Sequence, residues 1–308
     1  MSIRPPGPAW TMEILSFAKI NLFLRITGRR PDGYHTLFSL MTRLDLADTI
    51  TLVPAGGGIK VFCKHPAVPE DETNLAYRAA ARFYDQAGME PDVAITIDKQ
   101  IPVAAGLGGG SSNAAAVLAG LNRCYEFPLS GSALMELAAA IGADVPFFLL
   151  DTPALAEGIG ERLTPYHRLP PLPVVLAVPD IHVSTAEVYK SVNLALTFDK
   201  NFSNLNSFTE STCFDAETHL VNDLETVTAA WYVQIKRLRQ MLEAEGAIGS
   251  LMSGSGPSVF GIFPDAGSAG RAGRSLKGRT VENTAVRVYV TNILTGDTLR
   301  RNSRTFPE

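Results

Sequence analysis

Apolar and polar residues alternate through much of the first hundred positions, the period-two signature of strands with one packed face. Glu13 to Thr27 reads as a long strand in which Ala18, Ile20, Leu22, Leu24 and Ile26 form an unbroken apolar face, while Phe17, Lys19, Asn21, Phe23 and Arg25 share the other. Pro31-Asp32-Gly33 predicts a turn, Thr36 to Asp45 a second strand, Thr49 to Pro54 a third, and Gly56-Gly57-Gly58 a simple hairpin turn. Asn74 to Ala87 predicts a helix stopped by Gly88, and Val93 to Ile101 a strand with Val93, Ile95, Ile97 and Lys99 on one face. Asn113 to Asn122 and Ser132 to Ile141 read as helices, the second ending at Gly142 before Asp144 and Pro146.

Four prolines between Pro165 and Pro173 make the best interior break, followed by a buried-type strand, Val174 to Val178. Residues 191–220 are rich in Asn, Ser, Thr and Phe without clear period, suggesting a mobile surface loop or lid. Thr226 to Glu245 predicts a helix stopped by Gly246; Ser258 to Phe263 and Val286 to Val290 predict strands. With 308 residues, the expectation is two domains: a disordered leader over 1–12, a first domain over 13–165 and a second over 166–308.

The richest chemistry lies between the fourth strand and the following helix, in Pro102, Val103, Ala104, Ala105, Gly106, Leu107, Gly108, Gly109, Gly110, Ser111, Ser112 and Asn113. Glycines let main-chain N–H groups close around an anion, and the first turn of the helix points further N–H groups at it. A flexible connector would lack such ordered flanks. Ser111 stands where a Rossmann fingerprint needs its third glycine, and no lysine follows Gly110 as a Walker loop requires.

A net charge of −4 and a pI near 5.8 give no whole-chain attraction for nucleic acid or anionic membrane, and neither partner is expected. Cys63, Cys124 and Cys213 are odd in number and widely spaced, which suits reduced thiols in a cytosolic protein. No run of about twenty uncharged apolar residues predicts a membrane span, and Met1 to Trp10 lacks the apolar core of a secretory signal. His65, His167, His182 and His219 show no metal spacing.

Pro102-x-x-x-Gly106-Leu107-Gly108 followed by Ser111-Ser112 resembles the ATP loop of the GHMP kinases, small-molecule kinases acting on galactose, homoserine, mevalonate and phosphomevalonate. The extra glycines resemble the branch acting on a cytidine diphosphate derivative of methylerythritol. Ala18-Lys19-Ile20-Asn21-Leu22, Arg30-Pro31-Asp32-Gly33-Tyr34-His35-Thr36, Gly142-Ala143-Asp144-Val145-Pro146 and Gly254-Ser255-Gly256-Pro257 point the same way, so the resemblance runs from about residue 16 to 263. It implies an α+β fold with a ribosomal-S5-like N-terminal domain and a ferredoxin-like C-terminal domain. The implied activity is ATP-dependent phosphorylation of that substrate's 2-hydroxyl in non-mevalonate isoprenoid synthesis, with Mg2+, in the cytoplasm, as a monomer or weak homodimer. Another GHMP kinase activity, or a catalytically silent nucleotide-binding regulator, is the alternative.

The resemblance also implies roles for single residues, each beside a plainer reading. Lys19 matches the catalytic lysine, though its residue pattern also suits a solvated strand face. Asp144 matches the base that takes the hydroxyl proton, kept ionised by Lys19, though an Asp between Gly and Pro is commonly a turn residue. Ser111 or Ser112 would offer magnesium an oxygen. Asn74 and Lys99 resemble residues at the adenine end. Asn21 and Thr185 resemble substrate-binding positions, and Tyr34-His35 the pair at the cytosine; locally, a buried Tyr with a surface His is the plainer reading. Tyr189, where the family often carries Phe, resembles the ring on the cytosine's other face. Gly254-Ser255-Gly256 would face the substrate phosphates or the loop, or make a tight turn.

Overall fold

Two long strands open the chain in the computed structural model, which describes residues 10–192, 208–296 and 299. They are β1 (Met12–Arg29) and β2 (His35–Val53), paired with each other. Then come β3 (Gly58–Cys63), α1 (Leu75–Ala87), β4 (Asp92–Asp98), α2 (Gly109–Cys124), α3 (Gly131–Ile141) and a 3-10 turn over Pro146–Leu149. The later elements are β5 (Ala154–Gly158), β6 (Arg162–Pro165), β7 (Pro173–Pro179), α4 (Thr185–Ser191), β8 (Val221–Asn222), α5 (Glu225–Trp231), α6 (Val233–Ala244), β9 (Gly249–Met252), β10 (Val259–Ile262), α7 (Ala266–Leu276), β11 (Thr280–Val281) and β12 (Thr284–Leu294). Contacts gather them into two units: residues 1–18, 46–103 and 108–150 in the first, and 19–45, 104–107 and 151–308 in the second.

In the first unit β4 pairs antiparallel with the end of β2, Thr49 opposite Asp98, and parallel with β3 on its other side. Gly56-Gly57-Gly58, all at positive φ, therefore make a turn that is not a hairpin, because β3 lies beyond β4 rather than beside β2. The alternating residues Ile50, Leu52, Val93 and Ile95 meet Phe83 and Tyr84 of α1 and Val117 and Leu121 of α2 in one buried cluster. Asn74 caps α1 through its side chain and Gly88 ends it in the left-handed conformation, as local rules predict. Residues 1–9 of the expected leader lie outside the described residues; Trp10 packs edge-on against Tyr125, and Met12 opens β1.

In the second unit β7, β9, β10 and β12 stand in the order β12-β7-β10-β9, every neighbouring pair antiparallel. With α4 to α6 after β7 and α7 after β10, this is the β-α-β-β-α-β arrangement of ferredoxin-like domains. Val175, Ala177, Val259 and Met252 of that sheet pack with Ile235, Leu238 and Leu242 of α6 and Ala269 and Ala272 of α7.

Several expectations are corrected. The second and third strands are one strand, β2, because Asp48 between them is buried and hydrogen-bonded instead of turning the chain. The helix expected over Thr226 to Glu245 breaks at Tyr232, whose extended backbone (φ −128°, ψ 96°) carries its phenol to the His182 carbonyl. The strand expected to reach Ile101 stops at Asp98, since the Gln100 and Ile101 N–H groups turn to Asp48. β3, β5, β6, α4, β8, β9, α7 and β11 had no counterpart in the sequence reading. Residues 193–207 of the suggested lid lie outside the described residues; Phe208 is buried against Phe23 and Tyr166.

Candidate active site

α2 begins a turn earlier than its sequence suggests. Gly108 takes the left-handed conformation (φ 68°) as N-cap, so Gly109, Gly110 and Ser111 form the first helical turn. No side-chain hydrogen bond caps this end and no acidic residue lies in its first turn, features compatible with N–H groups that receive an anion. The two serines of that turn are not equivalent. Ser112 is buried and accepts a hydrogen bond from the Ser16 hydroxyl at 2.8 Å, whereas Ser111 is half-buried.

Ahead of the helix, Ile101, Pro102, Ala105 and Leu107 are buried, Val103 is half-buried and Ala104 is exposed at positive φ (54°). Gly106 also has positive φ (76°), and a Cβ there would press into the Ser253 carbonyl and stand 2.9 Å from that of Gly256. The Ser253 hydroxyl donates to the Gly106 carbonyl at 3.1 Å, and the Lys19 N–H donates to the Leu107 carbonyl at 2.9 Å. Gly254-Ser255-Gly256 thus forms the wall against which Gly106 fits.

Lys19 and Asn21 lie on the same face of β1, as their spacing predicts, and both are buried. The Lys19 ammonium donates to Asn21 Oδ1 at 2.7 Å; Asn21 Nδ2 donates to Ser39 Oγ at 2.8 Å, and Ser39 Oγ to the Phe23 carbonyl at 2.6 Å. This relay fixes the Asn21 amide so that its oxygen faces the ammonium. A Cβ on Gly254 would lie 3.7 Å from Lys19 Nζ, an ordinary contact distance, so the Gly254 turn runs beside the cation. The buried Asn222 amide holds the Gly254 turn by donating to the carbonyls of Met252 and Gly254 at 2.8 and 2.7 Å.

His35 opens β2 and is 9% exposed, while Tyr34 is 64% exposed on the turn before it, the reverse of the plainer sequence reading. The imidazole lies 5.7 Å from the Tyr189 ring, inclined by 37°. Burial, then the nearby Arg29 charge, pushes its pKa below the ordinary 6.5 and so disfavours the protonated ring. Thr185 opens α4, and its hydroxyl is 2.8 Å from that of Ser255.

Asp144 is half-buried in the turn between α3 and Pro146, closed by the Val145 N–H donating to the Gly142 carbonyl at 3.1 Å. Asn74 and Lys99 both spend their polar atoms on protein: Asn74 accepts from the Ala76 N–H and donates to the Pro69 carbonyl, and the Lys99 ammonium pairs with Asp48. Asp48, Ser16, Ser253 and Asn222 escaped the sequence reading because they carry no motif and find their partners only in the fold.

Family profiles described as "GHMP kinases N terminal domain" and "GHMP kinases C terminal" match residues 74–152 and 208–282. The chain is 44% identical over 271 residues to the 4-diphosphocytidyl-2-C-methyl-D-erythritol kinase of Citrifermentans bemidjiense, covering 86% of this chain and 94% of the relative. It is 46% identical over 260 residues to that of Geobacter metallireducens, covering 84% and 92%. A crystal structure of 4-(cytidine 5'-diphospho)-2C-methyl-D-erythritol kinase superposes with a TM-score of 0.74 at 36% identity, over 92% of this chain and 99% of that one. With an uncapped glycine-rich helix start, a buried lysine fixed on β1 and these likenesses across nearly its whole length, the chain belongs to the GHMP kinases, in the 4-diphosphocytidyl-2-C-methyl-D-erythritol kinase family.

Proposed function

We propose that the protein transfers the γ-phosphoryl group of ATP to the 2-hydroxyl of 4-diphosphocytidyl-2-C-methyl-D-erythritol, giving the 2-phosphate and ADP on the route to isoprenoid precursors. The observation that carries the substrate assignment is the buried His35 ring beside Tyr189, next to the exposed Tyr34. A neutral imidazole and a phenol ring offer a cytosine both a flat face and hydrogen-bond partners, and neither clashes with its polarity. Thr185 and Asn21 complete the substrate contacts.

The uncapped start of α2 and the loop before it hold the nucleotide phosphates, with Asn74 and Lys99 toward the adenine. Asp144 takes the proton from the attacking hydroxyl; Lys19, oriented by Asn21, stabilises charge on the transferring group. Phosphoryl transfer needs chiefly alignment and charge stabilisation. Mg2+ fits a site of this kind. Among the described residues no three His, Cys, Asp or Glu side chains cluster, and Mg2+ is commonly held by substrate phosphates with few protein oxygens. Ser111 is the hydroxyl of the α2 turn suited to that role, because Ser112 is bonded to Ser16. When bound, the metal would offset phosphate charge.

Sequence modules over 13–165 and 166–308 belong to the same proposal, and the two family matches fall on either side of that boundary. So do a cytoplasmic location, suited to a small soluble substrate, and a monomeric or weakly dimeric state. No helix among the described residues is long and apolar enough to cross a membrane. The test is ADP release with MgATP and the cytidyl alcohol, mevalonate, homoserine or galactose in turn. Turnover confined to the cytidyl alcohol is expected; turnover with another alcohol would overturn the substrate, and none with any would overturn the activity.

A further inference from the structure

Asp48 itself has no part in the chemistry proposed above, where only its partner Lys99 stands toward the adenine, yet its carboxylate is fully enclosed and its bonds converge from both ends of the nucleotide-binding segment. Oδ1 accepts the N–H groups of Gln100 and Ile101 at 2.8 and 2.9 Å, from the chain just ahead of Pro102. Oδ2 accepts the Lys99 ammonium and, at 2.9 Å, Nδ2 of Asn113 in the first turns of α2. The same Asn113 nitrogen donates to Ser16 Oγ at 2.8 Å, and Ser16 Oγ donates to Ser112 Oγ at 2.8 Å. Gly109 lies under this cluster, where a Cβ would stand 3.1 Å from Lys99 Nζ.

Charge-assisted hydrogen bonds are short and directional, and a buried carboxylate with every lone pair engaged holds its donors rigidly. The donors here are the last residues before the loop and the helix turn that ends it. We infer that Asp48 is a positioning residue for the nucleotide: it fixes the distance and angle between the exit of β4 and the start of α2, and so sets the N–H groups that receive the phosphates. The two carboxylate oxygens divide the labour. Oδ1 ends β4 by drawing off the next two N–H groups, and Oδ2 aims the helix. The inference rests on reading the α2 start as the nucleotide site.

Asp48→Asn separates the two, because one oxygen remains for the backbone N–H groups while an NH2 group now faces the Lys99 and Asn113 donors. KM for ATP and the Kd of ADP measured by titration calorimetry are expected to rise about tenfold or more, as for loss of a charged hydrogen bond, while KM for the cytidyl alcohol stays within about twofold. A residue that only supports the fold would lower the thermal midpoint and leave both constants of the folded enzyme alone. Nucleotide constants within about twofold of wild type, or both substrates weakened alike, would overturn the inference. If Asp48→Asn fails to fold, Asn113→Ala takes its place, with a rise of about threefold or more in the same nucleotide constants expected and no change overturning it. Wild type runs alongside: absence of its turnover would sink the proposed reaction, while the ADP titration would still decide the role of Asp48.

Discussion

His35 and Tyr189 meet as rings, 5.7 Å between centroids and inclined by 37°, although 154 positions separate them in the chain. The contact brings the start of β2 to α4 and gives each ring a wall. His35→Ala is expected to raise KM for the cytidyl alcohol about tenfold and leave KM for ATP within about twofold, as loss of one face of a ring site would. An effect confined to ATP would refute the cytosine role.

The same histidine predicts a pH dependence. Its folded-state pKa lies below the ordinary 6.5, so the unfolded chain takes up the proton first. The stability that neutral His35 contributes is therefore present above pH 6.5 and is lost as pH falls from 6.5 through the folded value. Binding of the alcohol should weaken over the same interval. An NMR titration of the His35 ring should give a midpoint below 6.5; a midpoint above it would remove the basis for both statements.

Asp144→Asn should reduce kcat by about a hundredfold to ten-thousandfold with both KM values changed little, since a positioned base acts in the transition state. Steady-state kinetics at saturating MgATP read this directly. Wild-type turnover in the mutant would remove Asp144 from the reaction.

The two serines of the α2 turn should part company. Ser111→Ala is expected to lower turnover and raise the Mg2+ concentration giving half-maximal rate. Ser112→Ala breaks the bond to Ser16 and should act through stability, by about 1 kcal/mol. Magnesium titrations and thermal melts on the pair would show it, and the reverse pattern would exchange their roles.

Asn222→Ala should destabilise the fold by about 3 kcal/mol, because it leaves the carbonyls of Met252 and Gly254 and the Leu224 N–H without the bonds this amide supplies. Phe208→Ala, removing a buried ring packed on Phe23 and Tyr166, should lose a similar amount. Urea unfolding measures both; a change below about 0.5 kcal/mol, the range of ordinary surface substitutions, would contradict the packing described.

Local signals carried much of the architecture. Gly88 and Asn74 bound α1 by backbone conformation and side-chain capping, which neighbours in sequence determine. The β1 face pairing Lys19 with Asn21 follows from period two alone. Asp48 was illegible for the opposite reason: read locally, an aspartate after Leu46 and Ala47 interrupts a strand, and only donors about fifty residues on or further, the Lys99 ammonium, the Gln100 and Ile101 N–H groups and the Asn113 amide, make its burial tolerable. The parallel placement of β3 beyond β4 likewise depends on the sheet as a whole. Motifs were visible where backbone needs glycine; the side chains that hold those motifs in place were not.

Gly106 sets a limit on how far the chain can be diversified. What a side chain would strike there are the main-chain carbonyls of Ser253 and Gly256, which no substitution elsewhere can trim, and its positive φ adds a second objection. A library randomised at codon 106 and selected for growth should return glycine whichever alcohol is offered. Evolving a new substrate preference on this scaffold would thus have to proceed around an unchanging residue 106.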